Sequence, residues 1–171
     1  MDAIEIAVVE KLGRADLYWR AHKRARFIWS RTSNVLLASI AVSGALSGGS
    51  AVGDRRGAAV VLGITTAVLS GMNAGLQPAD RSAEHRLASA GYGRIFRILQ
   101  RTLSDRAAVD GAQANVRQDL VGIDAQFDRL DLEAPSVKPR MRERKASARR
   151  VTFVLTGTTG DDDSRAADDT W

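Results

Sequence analysis

The sequence predicts an all-α membrane protein: a two-span transmembrane helical hairpin with an N-terminal amphipathic helix and long cytoplasmic C-terminal helices. Three observations carry this expectation. Arg31 is the last charge before TSNVLLASIAVSGALSGGSAVG, and GAAVVLGITTAVLSGMNAGLQPA then stays uncharged until Asp80, with only Asp54, Arg55 and Arg56 between the two runs. Each run supplies the ~20 helical residues that cross the hydrocarbon core of a bilayer. Finally, basic residues crowd the outer flanks: seven from Lys11 to Arg31, then Arg81, Arg86, Arg94, Arg97 and Arg101, against Arg55 and Arg56 in the loop. The positive-inside rule places both ends in the cytoplasm and the loop outside.

Composition sets the outer bounds. A chain of 171 residues holds at most one ordinary domain. Its hydrophobic content of 44% is that of a soluble protein, but the apolar residues concentrate in the hairpin and the charge on either side. With no cysteine there is no disulfide, thiolate metal site or cysteine nucleophile. With only His22 and His85, no histidine-rich metal site is expected, and no cofactor is implied. A net charge of +5 and a pI near 10.2 favour anionic partners. The charge flanks the spans as topology requires, which points to the lipid bilayer and away from nucleic acid. MDAIEIAVVEKLGRAD has neither the basic start nor the cleavage site of a signal peptide, so the hairpin itself is expected to direct insertion.

In chain order, residues 2–26 read as one amphipathic helix with Ile4, Val8, Leu12, Ala15, Trp19 and His22 on one face. That face either packs on other cytoplasmic helices or lies in the membrane interface. Phe27 and Trp29 sit where an aromatic belt marks the headgroup level. His22 reads as a packed or hydrogen-bonded histidine. The first span, about 32–53, is weakly apolar, its Val, Leu and Ile diluted by serine and glycine. The second, about 57–79, is stronger and carries Gly63, Ala67, Gly71 and Gly75 at four-residue spacing. Such a ridge lets helix backbones approach closely in lipid, and Ser39, Ser43 and Ser47 form its counterpart on the first span. The two ridges either lock the hairpin to itself or also pack protomers into a homo-oligomer. In an oligomer, Thr65, Thr66, Ser70, Asn73 and Gln77 are the candidate pore-lining residues. Neither span contains a charge, so no proton relay is written into them.

Pro78 and Asp80 suit the first turn of a new cytoplasmic helix over about 80–108. Its stripe is Ala88, Tyr92, Ile95, Leu99 and Leu103, and Gly91 and Gly93 beside Tyr92 suggest close packing there. A further helix over about 112–132 carries Val116, Leu120, Ile123, Phe127 and Leu130 in alternating steps of four and three. At about three heptads it is expected to pack on the preceding helix. Residues 138–171 read as a basic, then acidic, disordered tail, with contact to anionic lipid as the functional alternative for the basic part.

LQPADRSAEHRLASAGYGRIFRILQRTLS, directly after the hairpin, resembles the segment following the second membrane helix of SLATT domains. The matching positions are Pro78, Arg81, the pair His85–Arg86 and the step Tyr92–Gly93. DLVGIDAQFDRLDLEAPSV resembles the closing helix of those domains, down to Ala134–Pro135, so the similarity covers about residues 1–137. The resemblance implies a two-span inner-membrane effector of a prokaryotic conflict (anti-phage) system. Such an effector forms a pore or disrupts the membrane when a nucleotide second messenger is sensed, causing cell death or arrest. The implied partner is a nucleotidyltransferase or nucleotide sensor encoded nearby.

Three other readings fit the residues alone: a membrane adaptor recruiting a partner through the 112–132 seam, a holin-like or transport accessory protein, and a soluble bundle with the hairpin as its core. Two long uncharged runs argue against the last. No GxSxG elbow, P-loop or HExxH is present, so an enzyme is not expected.

Overall fold

A computed structural model describes residues 3–52, 56–108 and 113–156, and every regular element in them is an α-helix. Helix α1 runs over Ala3–Val52, α2 over Arg56–Leu76, α3 over Pro78–Ala108, α4 over Gln113–Glu133 and α5 over Met141–Thr156. The amphipathic helix and the first apolar run are thus one continuous helix of 50 residues. Neither glycine nor proline interrupts the chain from Arg14 to Ser43, and Glu5 complements the helix dipole in the first turn.

The junction between α2 and α3 is a single residue. Gln77 has a φ of 45°, in the left-handed region, and donates its N–H to the Asn73 carbonyl at 3.1 Å. That geometry closes α2 as a left-handed cap does. Pro78 then opens α3 where its missing N–H costs nothing, and Arg81 N–H donates to the Gln77 carbonyl at 3.1 Å.

The chain divides into two compact units, residues 1–21 with 88–171, and residues 22–87. The first holds the hydrophobic core. Val8, Leu12 and Ala15 of α1 meet Tyr92, Ile95, Phe96 and Leu99 of α3 and Ile123 and Phe127 of α4. Each large apolar side chain buried there contributes about 1.5–3 kcal/mol. Tyr92 stacks on Tyr18 with ring centroids 5.4 Å apart and meets the Phe127 ring at 6.0 Å. A Cβ on Gly91 would come within 2.6 Å of Leu130 Cδ2, and one on Gly93 within 3.3 Å of the Trp19 indole. Both glycines therefore sit where neighbouring helices press on the α3 backbone. Leu120 and Leu130 line the same core, so the seam from Leu120 to Leu130 packs inside its own chain; the Val116 side chain lies outside the described residues.

The expectation of a disordered tail fails for its basic part. Residues Met141–Thr156 form α5, whose start is fixed by Glu143, three residues into the cap, accepting from Arg140 N–H at 2.6 Å. Ser147 Oγ donates to the Gly13 carbonyl at 3.0 Å, and Val151 and Val154 pack against the core. Arg150 donates to Asp16, which also accepts from Arg20 at 2.8 Å, and its guanidinium lies 4.5 Å from the centre of the Phe96 ring. The apolar pattern misses this helix because its inward face includes a serine and an arginine. The acidic end, 157–171, and the loop charges Asp54 and Arg55 lie outside the described residues.

The second unit contains the remainder of α1, all of α2 and the first turns of α3. Its contacts pair descending positions of α1 with ascending positions of α2 and α3: Ser47 with Ala59, Ser43 with Thr66, Arg26 with Ser82, and His22 with His85. The helices therefore pack antiparallel.

Candidate functional site

Two features of the second unit stand out: an apolar surface joined by polar rungs, and a buried histidine pair. The surface comes first from α2. Its 21 residues amount to roughly 31 Å of helix, and none of them is buried. Val60, Val61, Ile64, Val68, Met72 and Leu76 are all exposed, as are Val35, Leu37, Val42 and Leu46 of α1. Among the described residues one helical stretch, beginning at Arg56, is long and apolar enough to cross a membrane, and its apolar window is wholly unburied. A core helix of a soluble domain would hide such a window. The serine-diluted end of α1 is not a second such stretch.

Between α1 and α2 the polar side chains satisfy one another. Thr66 Oγ1 donates to Ser43 Oγ at 2.8 Å, and Ser43 in turn donates to the Ser39 carbonyl at 2.8 Å. Ser47 Oγ reaches across to the Ala59 carbonyl at 3.0 Å. A Cβ on Gly63 would lie 3.7 Å from Ser47 Oγ, and one on Gly44 4.0 Å from Thr66 Cγ2. Ser43, Ser47 and Gly63 thus form part of the α1–α2 contact, while Ser39 enters only through its carbonyl, which accepts from Ser43. Gly71 and Gly75 do not take part, since a Cβ on either would meet nothing within 4 Å. Ala67 is exposed.

The pore-lining candidates are likewise divided. Thr66 belongs to the contact with α1, whereas Thr65 and Ser70 are exposed and Thr65 turns its hydroxyl back onto the Val61 carbonyl. The Asn73 backbone and Gln77 form the cap described above.

The family-like motif is mostly structural. Pro78 is fully buried, the Arg81 guanidinium lies 5.6 Å from the centre of the Trp29 ring, and Arg86 is exposed. Tyr92 and Gly93 belong to the core of the first unit. Ala134 N–H donates to the Leu130 carbonyl at 2.8 Å as α4 ends, and Pro135 follows in the irregular connection to α5. Asp131 of α4 joins Tyr92 of α3 to α1: it accepts from Tyr92 Oη at 2.6 Å and pairs with Arg14. Burial, and then the Asp131 hydrogen bond and charge, push the Tyr92 phenol well above its ordinary pKa.

His85 supplies what the sequence did not disclose. Its Nδ1 lies 3.0 Å from Nδ1 of His22, across 63 positions of sequence. The rings are tilted by 48° with centroids 5.2 Å apart, and the residues are 5% and 1% exposed. Burial lowers the His85 pKa; the neighbouring Glu84 opposes this, and Arg81 adds to it. Among the described residues no three histidine, aspartate or glutamate side chains converge where a metal ion could sit. The one signal in the sequence was that the only two histidines both occur at interior helix positions. Separate helices hid their pairing.

Comparison of the chain with models of protein families, with curated proteins and with solved structures finds no match.

Proposed function

We propose that the chain is a two-span membrane effector of a prokaryotic nucleotide-signalled anti-phage system, acting as a homo-oligomer that opens or disrupts the inner membrane. The observation that carries the membrane reading is the unburied apolar surface of α2, continued on α1 from Val35 to Leu46. Covering that surface with acyl chains removes it from water, the same gain that buries a core. The Ser43–Thr66 and Ser47–Ala59 rungs fit this setting, because hydroxyls placed in hydrocarbon need partners within the protein. The last half of α1 crosses as the weaker span, supported by α2. Basic residues on both outer flanks keep the termini in the cytoplasm. The defensive role rests on the resemblance of residues 76–104 and 119–137 to SLATT domains, and with it the nucleotidyltransferase or nucleotide-sensing partner.

The adaptor reading loses its main support, because Leu120, Ile123, Phe127 and Leu130 are already packed on α1 and α3. The experiment is fractionation followed by overexpression. The chain should resist high-salt washing and leave the membrane only with detergent; recovery in the salt wash would remove the spans. Overexpression should arrest growth and admit a membrane-impermeant dye. A harmless chain that stays in the membrane would keep the spans and sink the effector.

A further inference from the structure

We infer that His22 and His85 form a proton-operated latch between α1 and α3, closed when the pair holds a single Nδ1 proton and released when both Nδ1 atoms are protonated. The geometry dictates the rule. At 3.0 Å, one Nδ1–H donates to the lone pair of the other Nδ1, so the contact contains one proton. A first added proton goes to the Nε2 of the donor ring, and the bond survives with added charge. A second can only enter at the accepting Nδ1. Two N–H groups then face each other at hydrogen-bond distance with no acceptor, and two positive rings share a buried site. The rings must part.

The surroundings disfavour the doubly protonated pair and move its release to lower pH. On α3, Glu84 favours the charged form of His85 and Arg81 opposes it, while Arg86 follows directly. On α1, Lys23, Arg24 and Arg26 adjoin His22. Burial, with Arg81 adding to it, penalises a doubly charged pair, and Glu84 is the carboxylate that opposes this. No group of metal ligands competes for the lone pairs among the described residues. Because burial lowers the pKa of His85, the folded state binds fewer protons than the unfolded chain. The closed latch is therefore at full strength above the ordinary histidine value of about 6.5, and it weakens as pH falls below that. Ser82 Oγ, 3.3 Å from the Arg26 carbonyl, is the neighbouring contact that opens with it. The latch concerns this contact alone and does not rest on the effector reading.

The chain has no native cysteine, so a spin-label pair can be placed cleanly at Ile28→Cys and Ala83→Cys, both exposed. In detergent-solubilised full-length protein, the inter-label distance should lengthen when pH drops from about 7.5 to about 5, and recover on return. The same shift should vanish in His22→Gln, whose amide bonds to His85 without titrating. An unchanged distance in the parent, or an equal shift in His22→Gln, overturns the latch. Histidine-ring NMR of the unsubstituted chain needs no mutant: it should show two separated titration steps, the second well below 6.5. Two rings titrating together near the free-histidine value would also overturn it.

Discussion

Tyr92 shows how a single side chain joins three helices. Its ring stacks on Tyr18 of α1 and lies tilted against Phe127 of α4, and its hydroxyl donates to Asp131, which Arg14 also holds. Replacing it with phenylalanine keeps the packing and removes a hydrogen bond to a charged acceptor, a loss of about 1.5–3 kcal/mol near neutral pH. The sign of the pH dependence follows from the raised phenol pKa. The unfolded chain releases the proton near 10 while the folded chain keeps it, so the advantage of tyrosine is whole below about 10 and shrinks above it. Chemical denaturation of the parent and Tyr92→Phe proteins at pH 7 and above 10 should show the stability gap narrowing. A gap that stays constant would place the proton elsewhere. The sequence marked Tyr92 as part of an apolar stripe, and Gly91 and Gly93 as signs of close approach. It could not mark Asp131, which is 39 positions away.

Among the elements, α5 was the least legible. PSVKPRMRERKASARR carries almost no apolar period, and charge-rich segments of that kind usually remain solvated. The helix forms because Glu143 caps it and because Ser147, Arg150, Val151 and Val154 return to one face at three- and four-residue spacing. Arg150 lays its guanidinium over Phe96 and Trp19 while reaching the fully buried Asp16, so a residue that counts as polar in any pattern behaves as a packing residue. The α4 seam was legible for the opposite reason: its described core positions, Leu120, Ile123, Phe127 and Leu130, are all apolar. Arg150→Ala should therefore destabilise the folded chain by about 1–3 kcal/mol, and Asp16→Ala by at least as much, since Asp16 holds Arg20 as well. The double variant should cost less than the sum of the two, because the pair is lost only once. Thermal denaturation of the four proteins closes the cycle; strict additivity would mean that the Arg150–Asp16 pair does not help to hold α5.

At the scale of the whole molecule, the two units solve the hydrophobic problem differently. The first surrounds its large side chains with protein; the second leaves Val61, Ile64 and Val68 more than half exposed. A sequence reader sees both as apolar and can separate them only by the absence of charge across 57–79. Within the second unit, the small-residue ridge divides at its middle. Gly63 lies against Ser47, while Gly71 and Gly75 face open space. This division makes packing within one chain separable from packing between chains. Gly63→Leu adds bulk against α1 and should disturb the Ser47–Ala59 and Ser43–Thr66 rungs, with an overpacking loss of about 1–3 kcal/mol. Gly71→Leu adds bulk where nothing of the same chain is touched, so stability should hold or rise through better helix propensity. If protomers assemble through the free half of the ridge, Gly71→Leu should abolish cross-linked oligomers in the membrane and suppress dye uptake, with the monomer intact. Gly71→Ala, which keeps the surface low, should assemble as the parent does. Oligomers that persist in Gly71→Leu would assign the ridge beyond Gly63 to lipid contact and move the assembly surface to another face of α1 or α2.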